Sequence, residues 1–237
     1  MPKLVIDIES AGKNLTDFDP ISQDYFRQWA KTSAAEEDDF DFELQKIEEG
    51  FSLSPLTAEV VCIGMLNPET DKGMVYYRSG NERKEFEENN IKFSSMSEPE
   101  MLKNFWEQAK FYDEFITFNG RGFDIPFLMI RSAIHKIKPS KNLLSNRYLN
   151  NQFGGAKHID LQDQFQFYGA TWGKRGYNLH MFCQAFGIKS PKNEGVSGAH
   201  VKEMFDQGEY ERIARYNVGD IRATAALYKY WQKYMNV

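Results

Sequence analysis

A mixed α/β fold is what this sequence predicts, on three observations. Apolar runs rich in β-branched residues at Leu4–Ile8, Ala58–Leu66 and Gly73–Arg78 have the length of strands. A helix with start signals opens at Ser97, and strand-like and helix-like segments alternate from there. The chain then finishes in a long amphipathic stretch, Glu209–Tyr234.

Leu4–Ile8 reads as a short, fully buried strand. Residues 20–50 carry mixed helical periodicity around Tyr25, Phe26 and Trp29, then an acidic run containing Phe40, Phe42, Leu44 and Ile47. This is expected to be a partly helical insertion, at about 11–56, in one domain spanning 1–237. Two strands follow, joined by the turn Asn67-Pro68-Glu69-Thr70. Ser97-Glu98-Pro99-Glu100 combines a cap, an early proline and first-turn acids, and opens a helix to about Tyr112. Glu114–Phe118 returns as a strand, and Ile125–His135 as a helix. Residues 139–176 look irregular, Tyr177–Phe186 looks helical up to Gly187, and Glu209–Tyr234 is the final helix.

Composition narrows the function. No run approaches the ~18 apolar residues of a membrane span, and no signal peptide is visible ahead of the first strand. Cys62 and Cys183 sit in apolar stretches without metal-type spacing and read as buried reduced thiols. A cytoplasmic protein with no membrane partner is the expectation. The net charge of -5 hides a segregation: residues 36–49 hold eight acids and one lysine. Residues 131–158 contain Arg131, Lys136, Lys138, Lys141, Arg147 and Lys157 and no acid. An acidic partner such as a nucleic acid is compatible with that second segment. The two segments also read simply as solvated surface of opposite sign.

The chemistry-bearing residues are carboxylates. Asp7 and Glu9 lie two apart on a strand and share a face with Val5, while Leu4, Ile6 and Ile8 point the other way. Two carboxylates side by side in a buried strand repel and lose solvation, which a divalent cation with oxygen ligands relieves. A strand end emerging into water accounts for them equally. Asp124 stands between a strand-and-turn and a helix, as a site residue or as an N-cap. Around the final helix at 100° per residue, Ile213, Tyr216, Asp220, Ala223, Leu227 and Trp231 fall within roughly 80° of one another. Asp220 is thus an acid on an apolar face, one turn from a tyrosine, as a metal ligand or as half of an Asp–Tyr hydrogen bond. Asp160 and Asp163 read as caps or turn residues, one of them a candidate support for the site. His135, His158, His180 and His200 show no ligand spacing.

Taken in order, D-x-E at 7–9, N-G-R-G-F-D at 119–124 and Y-x-x-x-D at 216–220 resemble the three exonuclease motifs of the DEDD superfamily. The tyrosine of the third motif is that of the DEDDy group. TFNGRGFDIPFL (117–128) is similar to the proofreading domains of family-B DNA polymerases and their stand-alone bacterial relatives, the polymerase-B-like 3′–5′ exonucleases. AFGI, SGAHVKEMF and YNVGDIRATAALY downstream fit those relatives too. The resemblance covers about 1–10 and 57–235; the segment 11–56 is longer and more acidic than the family leads one to expect. The chain is too short to hold a polymerase beside the nuclease.

The resemblance implies a ribonuclease H-like fold, a central mixed β-sheet flanked by helices. It implies two divalent cations, Mg²⁺ or Mn²⁺, held by Asp7, Glu9, Asp124 and Asp220. Tyr216 would orient the attacking water, and Asn119 and Phe123 would contact the terminal nucleotide. Single-stranded DNA or RNA with a free 3′ end is the implied substrate, DNA favoured, cut to 5′-nucleoside monophosphates. Lys174 and Arg175, with the basic stretch 131–158, are the candidate backbone contacts, and Tyr148, Phe153, Tyr168 and Trp172 could stack on bases. Three rivals share the fold: a non-catalytic nucleic-acid-binding module, an internal or structure-selective nuclease, and a protein-docking role for the acidic segment 36–49.

Overall fold

The computed structural model describes residues 1–36, 39–80, 83–171, 177–190 and 198–236. A seven-stranded mixed sheet runs through its centre: β1 (Lys3–Gly12), β2 (Ala58–Asn67), β3 (Lys72–Tyr77), β4 (Glu85–Glu88), β5 (Ile91–Ser95), β6 (Glu114–Thr117) and β7 (Lys157–Asp160). In space the order is β4-β5-β3-β2-β1-β6-β7. β1 is antiparallel to β2 and parallel to β6, so it lies in the sheet interior with a neighbour on each side.

Strand alternation divides the core into two layers. Leu4, Ile6 and Ile8 of β1 face a layer built with α3 (Glu98–Ala109) and α4 (Asp124–Ile134). Val5 faces the other layer, which α5 (Leu161–Phe165), α6 (Leu179–Phe186), α7 (Val201–Asp206) and α8 (Tyr210–Tyr234) cover. Pairing of β1 with β2 shifts register between Glu9 and Ser10, where Val61 is left without a partner. Such a bulge redirects the strand locally, and it falls beside Glu9.

Several expected boundaries are found. Ser97 and Glu100 form a reciprocal capping box on α3. Asn67 Oδ1 accepts from the amides of Glu69 and Thr70, closing the turn between β2 and β3. Gly187, at φ 64°, ends α6 in the left-handed region where glycine costs least. Both cysteines are free and buried. The sequence pattern did not disclose β4, β5 or β7. β4 and β5 are short and half-charged, and what marks them is the Asn89-Asn90 turn, both residues at positive φ.

Between β1 and β2 lie α1 (Pro20–Ser33) and α2 (Phe40–Gly50). β1 runs on through Gly12, so the first two residues of segment 11–56 are strand. The two helices pack on each other: α1 buries only Ala30, and α2 buries no residue. Their base is fastened where Phe51 meets Phe18 and Phe26 at ring separations of 5.2 and 4.7 Å. Ser52 ties that base to β1 through Ser10 Oγ and the Gly12 amide.

Candidate active site

The fold brings Asp7, Glu9 and Asp220 together, with one oxygen of each within 4.8 Å of the others. β1 supplies the first two on the face that α8 covers, and α8 supplies Asp220. Glu9 is only 7 % exposed. Among the described residues, neither Asp7, Glu9 nor Asp124 forms an ion pair with a basic side chain. Burial, then the charges of Asp124, Asp220 and Glu9, raise the proton affinity of Asp7 well above the ordinary carboxylate range. Burial and Asp220 do the same to Glu9, against a lowering hydrogen bond from Asn217. A clustered set of oxygen ligands that resists carrying its own negative charge is a fit for a hard divalent cation.

Asp124 stands beside this set. It is the first residue of α4, and its Oδ1 accepts the Ile8 amide at 3.0 Å. β6 pairs with β1 only at Lys3, Leu4 and Val5, so the Ile8 amide has no strand partner on that side and the carboxylate takes it. Burial raises the Asp124 pKa to about 7, although the Ile8 amide and its own backbone amide oppose the rise. The N-cap alternative is not what forms, since Phe123 holds the cap position.

The turn that presents Asn119, Phe123 and Asp124 is held from below by Asp160. Its Oδ1 accepts the Asn119 amide and its Oδ2 the Arg121 amide, at 2.9 and 2.8 Å, while it also caps α5 through Gln162. Asn119 adopts φ 62°. A side chain at Gly120 would collide with the buried Thr117 at 2.3 Å, so this turn needs that glycine; one at Gly122 would meet only the Asn119 amide oxygen, at 2.6 Å. Asn119 is exposed, and Phe123 is half-buried against Phe127 at 5.4 Å.

Tyr216 hydrogen-bonds with Asp220. Burial and then the charges of Asp220, Glu9 and Asp7 push its phenol pKa far upward, so it stays neutral. It also borders an open cleft of about 840 Å³ along α8.

Residues 73–236 match the family described as predicted 3′–5′ exonucleases related to the exonuclease domain of PolB. The chain belongs to that family. Its fold is similar to that of a family B DNA polymerase from the hyperthermophilic archaeon Pyrobaculum calidifontis, at a TM-score of 0.60 and 15 % identity. The alignment covers 98 % of this chain and 24 % of that polymerase, so the chain spans about a quarter of its length. The sheet and its flanking helices are therefore of the ribonuclease H-like kind expected. No curated protein sequence matches the chain.

The family match contains Asn119, Phe123, Asp124, Tyr216 and Asp220; Asp7 and Glu9 lie outside it and reach the site through the fold. Lys174, Arg175 and Trp172 fall outside the described residues. The basic stretch is less available than its composition suggests. Arg131 is buried on Glu98, Arg147 pairs with Asp163, and Lys141 is held by the Tyr112 carbonyl. Tyr168 is used internally, its hydroxyl oxygen accepting from the Leu149 amide and from Gln164 Nε2. Tyr148 and Phe153 are exposed. No described helix is long and apolar enough to cross a membrane.

Sequence reasoning passed over Asn217, which donates to Asp7 at 2.8 Å and lies 3.5 Å from Glu9. The signal available for it was its place on the inward side of α8 next to Tyr216, where a polar amide needs a partner.

Proposed function

We propose that the chain is a metal-dependent 3′–5′ exonuclease that shortens single-stranded nucleic acid, DNA favoured, to 5′-nucleoside monophosphates. The observation that carries this is the Asp7–Glu9–Asp220 cluster, with no basic partner for Asp7 or Glu9 among the described residues, in a chain of an exonuclease family. These carboxylates would hold two divalent cations, Mg²⁺ or Mn²⁺, whose positive charge would serve to activate water and offset negative charge at the phosphate and the leaving oxygen.

The protein's own groups have separate tasks. Asp7, Glu9 and Asp220 would hold one cation, with Asp7 also available to the second. Asp124, already committed by one oxygen to Ile8, would help hold the second. Tyr216, kept neutral, donates one hydrogen bond to orient the attacking water. Phe123 offers a half-exposed ring to the terminal base, and Asn119 an exposed amide to the same nucleotide. Lys174 and Arg175 contact the phosphate backbone. The whole chain acts as one exonuclease domain working in the cytoplasm, and the acidic α1–α2 arm, including segment 36–49, serves a protein partner rather than the reaction.

The deciding experiment is digestion of 5′-labelled single-stranded DNA and RNA, with Mg²⁺, with Mn²⁺ and with neither, beside Asp7→Ala. A metal-dependent ladder shortening from the 3′ end, absent in the variant and stopped by a blocked 3′ end, is the expected result. Products indifferent to the block would mean internal cutting. Retained binding without cleavage would mean a recognition module. Deleting the arm should abolish partner binding and leave the ladder intact.

A further inference from the structure

We infer that Asn217 is a positioning residue of this site: its amide holds one oxygen of Asp7 and one of Glu9, leaving the second oxygen of each for a cation shared with Asp220, and the bare Cα of Gly64 is what admits it. The inference rests on the metal-dependent reading above.

Asn217 is wholly buried, where α8 crosses β1 and β2. Its Nδ2 lies 2.8 Å from Asp7 Oδ2 and 3.5 Å from Glu9 Oε1. An amide nitrogen carries two hydrogens and both neighbours are acceptors, so the NH₂ end must face the carboxylates. The opposite end shows what this orientation costs. Asn217 Oδ1 is buried without a hydrogen-bond partner among the described residues. Buried carbonyls are rarely left that way, and an asparagine serving only to pack would satisfy both ends. The side chain is therefore set by what its nitrogen holds. Groups that hydrogen-bond to metal ligands fix the orientation of those ligands and tune metal affinity.

Gly64 explains how the amide fits. It pairs with Asp7 across β1 and β2. A Cβ there would lie 1.9 Å from Asn217 Oδ1 and 3.0 Å from Ile221 Cγ2. Any side chain at 64 would push Asn217 off the carboxylates.

The test is Mn²⁺ binding to the full chain by electron paramagnetic resonance, with melting temperature and the Mg²⁺ concentration for half-maximal digestion measured alongside. Asn217→Ala should raise the Mn²⁺ dissociation constant by about 10- to 100-fold, and raise the half-maximal Mg²⁺ concentration in parallel. Gly64→Ala should weaken binding similarly and also lower the melting temperature. The double variant Gly64→Ala/Asn217→Ala removes the colliding amide, so its melting temperature should recover while affinity stays weak. Wild-type affinity in Asn217→Ala, or affinity restored together with stability in the double variant, would overturn the inference and leave the exonuclease reading standing. A wild-type chain that binds no Mn²⁺ would overturn both.

Discussion

Carboxylates are buried on both faces of the same sheet, one on the α3–α4 side and a cluster on the α8 side, and they differ in what neutralises them. On the α3–α4 face, Glu98 is 2 % exposed and fully engaged. It takes Arg131 through both oxygens at 2.8 and 2.6 Å, His135 at 2.7 Å and the Val60 amide at 2.8 Å. Burial raises its proton affinity, but the hydrogen bonds from Arg131, Val60 and His135 outweigh that and its pKa ends below the ordinary value. On the α8 face, Asp7 and Glu9 are answered by an amide and by further acids, and their proton affinities rise. Burial alone therefore does not mark a site. A carboxylate completed by arginine is finished as structure, whereas Asp7 and Glu9, with no basic partner among the described residues, fit the cation that the proposed function assigns them.

The contrast breaks first under alanine. On the proposed function, Asp7→Ala and Asp220→Ala would remove ligands of cations that supply several kcal/mol of transition-state stabilisation. At about 1.4 kcal/mol per tenfold, digestion should fall by roughly a thousand-fold or more while the fold stays intact. Circular dichroism and single-turnover digestion check both halves. Arg131→Met should do the reverse. It leaves the buried Glu98 without its arginine, held only by His135 and the Val60 amide, a loss of up to about 3–5 kcal/mol of stability. The denaturation midpoint should move, with turnover per folded molecule unchanged.

Dependence on pH sharpens the comparison. Carboxylates whose native pKa is raised bind more protons folded than unfolded, so they erode stability as pH rises through the window between the two values. For Asp124 that window runs from 3.8 to about 7, and three units at about 1.4 kcal/mol each amount to roughly 4 kcal/mol. Glu98 works oppositely: its stabilisation is lost as pH falls. The metal-free chain should be less stable at pH 8 than at pH 6, and Mg²⁺ or Mn²⁺ should reverse the loss by binding the folded form. Melting curves with chelator and with metal measure this, and a metal-free chain as stable at pH 8 as at pH 6 would contradict it. The smallest effect belongs to Tyr216→Phe, which deletes the hydroxyl that the proposed function assigns to orienting water. A fall of about 100-fold, clearly less than that of Asp7→Ala, is expected at saturating Mg²⁺. A larger loss than Asp7→Ala would give Tyr216 a different role.

Local periodicity carried much of this into view. Alternation along β1 put Asp7 and Glu9 on the face of Val5, and the layers on either side of the sheet keep that division. The helical wheel of α8 put Asp220 and Tyr216 inward together, and they hydrogen-bond. The Ser97 cap, the Asn67 turn and the Gly187 stop were legible because each satisfies its backbone within a few residues. β4, β5 and β7 were not, since short strands become strands only through the neighbour that completes their hydrogen bonds.

What the sequence determined by itself, then, is whatever repeats along one element: which side chains share a face, and where a helix begins or ends. Only the tertiary structure decided which of those faces meet. That Asp160 would seat the 119–124 turn, that Glu98 would be closed by Arg131, and that Asn217 would reach Asp7 across 210 positions over a side-chain-free Gly64 are facts of packing. A hydrogen bond acts over about 3 Å, and separation along the chain says nothing about which groups the sheet and its helices bring that close.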